Sequence, residues 1–214
     1  MKDIGIPIYE GITALDAVGP YEVLQRLPGH RVRFLGSEAG PKRTGDGSLA
    51  LLADASLEEV REVEIVVVPG GWGSEQAMRD EVLLAWLRHV HESTRYTTAV
   101  CTGSLILGAA GLLTGLRATT HWSSLERLKQ LGAEPSSERV VEQGKIITAA
   151  GVSSGIDMAL TLAARIAGDD VARAIQLSIE YDPQPPFDAG SPAKAGERIV
   201  ELVKRARAQR LAER

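Results

Sequence analysis

Cys101 is the one cysteine in 214 residues, and its neighbours are of the kind that turn a thiol into a nucleophile. It closes the segment Thr97-Thr98-Ala99-Val100 and is followed by Thr102-Gly103-Ser104 and then Leu105-Ile106-Leu107-Gly108-Ala109-Ala110. The first segment reads as a buried strand and the last as a helix, so the chain must turn sharply at Cys101 and lift its side chain out of the sheet. At such an elbow the thiol meets the unpaired N–H groups and positive end of the helix, which favour a thiolate and lower its pKa. The same residues also suit an inert thiol, because free cysteines are among the most buried side chains. Both readings stand on the local sequence.

A nucleophile needs a group to handle protons and donors for developing negative charge. Asp16 lies in the otherwise apolar segment Ala14-Leu15-Asp16-Ala17-Val18-Gly19-Pro20. A carboxylate on the core side of a helix is costly unless paired or protonated, and near a helix start the same residue also suits a capping role. Gly70 and Gly71 follow the β-branched run Glu64-Ile65-Val66-Val67-Val68-Pro69. Their amides, with that of Thr102, would form an oxyanion-type pocket, although a Gly-Gly pair is also an ordinary turn. His121, in Thr119-Thr120-His121-Trp122, is a candidate base for a Cys–His pair and equally a satisfied histidine at a strand end. No metal site is legible: His89 and His91 fall on different sides of a helix, and His30 has no ligand nearby in sequence. The glycines at 70, 71 and 73 match no dinucleotide or phosphate loop.

The elements that must hold these groups alternate. Strands are expected over residues 4–9, 31–35, 64–68 and 97–100, with 118–122 following, and helices over residues 14–27, 80–93, 105–110, 124–131 and 156–167. A hairpin is expected over residues 139–148, turning at Gln143-Gly144. Such alternation implies an α/β fold, an open, mostly parallel sheet sandwiched by helices, whose sites form beyond the carboxyl ends of the strands. Cys101, Gly70-Gly71 and Ala149-Ala150-Gly151 all lie just past strand ends.

Composition narrows the class. Hydrophobic residues make up 44% and charged residues 24%, as in a globular protein with a sizeable core. A net charge of −4 argues against nucleic acid or an acidic membrane as the main partner. The basic residues Lys204, Arg205, Arg207 and Arg210 are interleaved with glutamates, as on a solvated helix face. No apolar run nears the ~20 residues of a membrane span, and the N-terminus lacks a signal-peptide pattern, so a cytoplasmic protein is expected. One domain is expected over residues 1–214, with 182–214 as a Pro-rich arm and a helix over residues 193–211.

The segments Val67-Val68-Pro69-Gly70-Gly71, Thr98-Ala99-Val100-Cys101-Thr102-Gly103 and Ala118-Thr119-Thr120-His121-Trp122 together resemble the ThiJ/PfpI superfamily, relatives of the class I glutamine amidotransferases with a flavodoxin-like fold. The further segments Gly11-Ile12-Thr13-Ala14-Leu15-Asp16, Ala149-Ala150-Gly151-Val152-Ser153-Ser154-Gly155-Ile156-Asp157 and Glu180-Tyr181-Asp182-Pro183-Gln184-Pro185-Pro186-Phe187 resemble its isocyanide hydratases. Protease-like and deglycase-like members place histidine after the cysteine and glutamate near position 16, whereas this chain has Thr102 and Asp16. The resemblance implies a cysteine nucleophile, Cys101, with Asp16 as general acid and base. It also implies Thr102 and Gly71 amides orienting substrate or water, Trp72 and Val152 lining the pocket, and isocyanide and water as substrates. It implies a homodimer and no cofactor. The amidase-like sensor half of AraC-type regulators shares the Cys-Thr-Gly and Thr-Thr-His-Trp pattern, but too few residues follow 167 for their DNA-binding units. A low-pKa cysteine also suits a redox sensor, although no second cysteine is present to resolve a sulfenic acid.

Overall fold

The computed structural model describes residues 1–212. From the N-terminus run β1 (Lys2–Pro7), α1 (Ala14–Leu24), β2 (His30–Gly36), β3 (Gly40–Arg43), β4 (Ala50–Ala53), β5 (Ala55–Ser56) and β6 (Ile65–Val68). Then come α2 (Ser74–Ala77), α3 (Glu81–Ser93), β7 (Tyr96–Val100), α4 (Gly103–Ala109), β8 (Arg117–Ala118), α5 (Leu125–Gln130) and β9 (Glu134–Pro135). After β10 (Val140–Gln143), β11 (Ile146–Ala149), α6 (Ser154–Ala167) and α7 (Asp169–Ser178), the chain ends in α8 (Pro192–Ala195) and α9 (Glu197–Ala212).

Seven strands form the main sheet in the order β10-β11-β7-β6-β1-β2-β5. All neighbours are parallel except the hairpin β10–β11. The α/β sandwich expected from the alternation is therefore the architecture. From β1 the chain moves to β2 on one side, and from β6 to β7 on the other, so the order reverses between β1 and β6. Crevices open at such switch points beyond the carboxyl ends of the strands.

Strand β6 shows why the sheet is covered on both faces. All four of its side chains are buried, with Ile65 and Val67 in one apolar cluster and Val66 and Val68 in the other. The first cluster includes Ala17 and Leu24 of α1 and Met158 and Leu162 of α6; the second includes Leu83 and Leu87 of α3 and Ile106 of α4. Period-two alternation thus feeds two helical layers, which is why β6 reads as an unbroken apolar run.

Several expected boundaries move. Helix α1 ends at Leu24, after which Leu27 folds back into the core. Past β8 the segment 119–121 leaves the ladder, because the Thr119 amide donates to Thr148 Oγ1 (2.9 Å). The helix expected over residues 193–211 is broken at Gly196, which takes φ +75 between α8 and α9. By its contacts the chain divides into Met1–Glu180 and Tyr181–Arg214; residues 213 and 214 of the expected C-terminal arm lie outside the described residues. No helix among the described residues is long and apolar enough to cross a membrane.

Candidate active site

Strand β7 ends at Val100 and α4 begins at Gly103, leaving Cys101 and Thr102 to make the turn. Cys101 takes φ +58, a left-handed conformation that costs an L-residue about 1–2 kcal/mol. The turn is over-determined by its neighbours. The Cys101 amide donates to the Ala149 and Ala150 carbonyls (3.1 and 2.9 Å), and its carbonyl accepts from Ser104 Oγ (3.0 Å) and Thr120 Oγ1 (2.9 Å). From the Thr-Thr-His-Trp segment it is therefore the threonine at 120 that grips the elbow.

The thiol is 5% exposed. The lowered pKa expected from the helix terminus is not what the surroundings produce. Burial, reinforced by the charge on Asp16, pushes the thiol up to about 12, and the Val152 and Thr102 amides that donate to the sulfur offset only part of this. Desolvation of the charged form outweighs the two backbone donors, one at the head of the seven-residue helix α4 and one just before α6.

Asp16 is the third residue of α1 and is fully buried. The N-cap position belongs to Thr13, so the capping alternative for Asp16 is set aside. Its side chain instead turns to the crevice between β1 and β6. Oδ2 accepts from the Gly70 amide (3.0 Å). Oδ1 has no partner of hydrogen-bond geometry, yet the Cys101 thiol lies close enough to act on the carboxyl as a donor. Burial dominates over both donors and raises the carboxyl to about 7. No lysine or arginine pairs with it among the described residues.

Beyond β6, the turn Pro69-Gly70-Gly71 ties these groups together. The Gly71 amide donates to Thr102 Oγ1 (2.9 Å), whose hydroxyl donates to the Gly71 carbonyl (3.3 Å), while the Gly70 carbonyl accepts from the Thr13 amide (2.9 Å). A Cβ on Gly70 would stand 2.5 Å from Thr102 N and Oγ1, so only glycine lets the two loops meet. The glycine amides, expected to face a substrate oxygen, are thus committed to Asp16 and Thr102. The donors left at the reactive atom are the Thr102 and Val152 amides. Val152, half-buried, takes φ +23 at the start of α6, where its N–H reaches the sulfur. Trp72 is half-buried in the same loop as Gly71.

His121 packs against Gly151, next to Val152, and stacks on Trp122 at 5.5 Å. Its Nδ1 accepts from the Ser123 amide (3.3 Å) and lies 2.8 Å from Ser123 Oγ. With Nδ1 accepting, the neutral ring carries its proton on Nε2 and is a donor there. The sequence reading passed over Tyr9, whose hydroxyl donates to the Pro69 carbonyl (2.8 Å) and whose pKa is raised by burial and by the charges of Asp16 and Cys101. Its signal was its position just past a strand end, where such sites form. Among the described residues no three His, Cys, Asp or Glu side chains gather to hold a metal.

Residues 2–165 match the DJ-1/PfpI family. The chain belongs to that family. A curated relative, the isonitrile hydratase of Pseudomonas putida, is 43% identical over 202 residues, which cover 94% of this chain and 88% of that one. A solved ThiJ/PfpI family protein from Pseudomonas syringae superposes with a TM-score of 0.90 at 37% identity, covering 99% of this chain and 86% of that one. The HTH-type transcriptional regulator CdhR of Pseudomonas aeruginosa is 28% identical over 82% of this chain, which spans 52% of the regulator. In this DJ-1/PfpI protein, then, the sole cysteine sits at the elbow beside a buried aspartate.

Proposed function

We propose that this protein adds water across an isocyanide to give an N-substituted formamide, with Cys101 as nucleophile and Asp16 as general acid and base. The observation that carries the reading is a buried thiol beside a buried carboxyl that no cation neutralises among the described residues, in a chain 43% identical over 94% of its length to an isonitrile hydratase.

The pair titrates as a unit, so its apparent values belong to both groups. One proton leaves near 7 and the second is held to about 12, so the pair carries one proton and one negative charge between. Where the remaining proton sits follows from the donors. The sulfur receives two backbone amides, whereas the carboxyl receives one and leaves Oδ1 unmet. A proton on Oδ1, donated to the sulfur, gives that oxygen a partner and leaves the thiolate three donors.

The thiolate attacks the terminal carbon of R–N≡C while Asp16 delivers its proton to that carbon, forming a thioimidate, R–N=CH–S–Cys101. Asp16, now ionised, takes a proton from water as the hydroxide joins the carbon, and passes it to nitrogen. The tetrahedral adduct returns its hydroxyl proton to Asp16, forms the C=O bond and breaks the C–S bond. R–NH–CHO leaves, and thiolate and acid are restored. The Thr102 and Val152 amides hold the sulfur charge at both ends of the cycle, and His121 takes no proton in it.

A panel of alkyl and aryl isocyanides, with formamide followed by chromatography, tests the reading. Wild type should turn over, and Cys101→Ala should be inactive with its circular dichroism unchanged. No formamide from any member of the panel would sink the proposal and leave the ligand-sensing reading, which draws on the likeness to the regulator. Redox sensing is disfavoured because the sequence holds no second cysteine to resolve a sulfenic acid.

A further inference from the structure

We propose that Tyr9 is a positioning residue for the Cys101–Asp16 pair, acting through its hydrogen bond to the Pro69 carbonyl. The Pro69 carbonyl and the Gly70 amide belong to one peptide unit, which is planar and points the two groups in opposite directions. Tyr9 holds this plane at its oxygen (2.8 Å) and Asp16 holds it at its nitrogen (3.0 Å). The next plane is pinned in the same way, its oxygen by the Thr13 amide (2.9 Å) and its nitrogen by Thr102 Oγ1 (2.9 Å). Both planes adjoin glycines, whose torsions are the least restrained in the chain, so their orientation depends on these four bonds. Three of the four partners lie in α1, in its cap or at the elbow. The fourth, Tyr9, is the one side chain set on the oxygen edge.

Without that hydroxyl the first plane can rotate about its flanking torsions and carry the Gly70 N–H away from Asp16. The phenol suits a fixed role, since burial and the neighbouring negative charges keep it protonated whatever the state of the pair. On its other side Tyr9 borders a cleft of about 490 Å³ lined also by Glu10, Lys42, Gln76 and Arg79, which is separate from the Cys101 site.

This inference rests on the pair being the reacting groups, so its test includes a readout that needs no isocyanide. Tyr9→Phe deletes one oxygen and keeps the ring on its core contacts. In the variant kcat should fall about three- to tenfold with KM within about twofold, as for one lost hydrogen bond. The pH midpoint for alkylation of Cys101 by iodoacetamide should move up by about half a unit, because the Asp16 acid, without the Gly70 amide on Oδ2, is a weaker donor to the thiolate. Hydrogen exchange at the Gly70 amide should accelerate. Replacing tyrosine by 3-fluorotyrosine, which keeps the donor, should reproduce the wild-type profile.

A Tyr9→Phe alkylation profile superimposable on wild type would overturn the inference. So would a fall in kcat and melting temperature with the profile unmoved, which marks packing alone, or an equal shift with fluorotyrosine. If wild type hydrates no isocyanide, alkylation and exchange still decide the role of Tyr9.

Discussion

In the unfolded chain Asp16 ionises near 3.8, whereas in the folded protein burial holds the first proton of the Cys101–Asp16 pair to about 7. Between those values the unfolded state binds fewer protons, so stability falls as pH rises and is fully diminished above the folded value. A shift of about three units corresponds to about 4 kcal/mol. Activity runs the other way, because the proposed thiolate exists only once the pair has lost its first proton. We therefore expect kcat/KM to rise through about pH 7 and to show no descending limb below the second ionisation near 12. Asp16→Asn mimics the neutral acid but moves no proton. Its turnover should drop at least about 100-fold, while in urea unfolding it should gain about 2 kcal/mol or more on wild type at pH 8 relative to pH 5. A stability difference that does not change with pH would exclude a buried ionisation of the pair near 7. The elbow cysteine and the misplaced-looking aspartate were legible in the sequence because each is a polar type in an apolar run. The direction of the thiol shift was not, since it depends on burial that only packing reveals.

The elements that carry these residues were legible wherever periodicity was strong, as in β6 or α3, and blurred where tertiary contacts replace a ladder. The segment 119–121 illustrates this: its Thr119 amide and Thr120 hydroxyl leave the strand to bind Thr148 and the Cys101 carbonyl, pairings that no local pattern encodes. The placement of α4 against β6 is another non-local constraint, and it sits on one glycine. A Cβ on Gly103 would run into the Val68 carbonyl oxygen and lie 2.8 Å from its carbon. These are backbone atoms that cannot swing aside, so α4 would have to lift and take the elbow with it. Gly103→Ala should cost about 3 kcal/mol in denaturant unfolding and abolish turnover. Gly111→Ala is the control: at φ +80 with open space around it, it should cost about 1 kcal/mol through its torsion alone and leave kcat unchanged. Equal losses for the two would mean that close packing at the elbow does not set its geometry.

For the whole chain, both apolar clusters are built from residues no later than Ile179, and every group of the candidate site lies within Met1–Glu180. Tyr181–Arg214 is a unit of its own, whose helix α9 leaves Leu202 60% and Val203 42% exposed. Exposed leucine and valine on a 16-residue helix are what an interface between copies would cover, in keeping with the homodimer that the sequence resemblance implies. We expect a chain ending at Glu180 to keep its melting temperature within about 5 °C, since both apolar clusters remain in it, and to alkylate at Cys101 as the full chain does. By light scattering the full chain should have the mass of a dimer and the shortened chain that of a monomer. A shortened chain that stays dimeric would move the interface onto residues 1–180, and one that unfolds would make the C-terminal unit part of the fold rather than of the assembly.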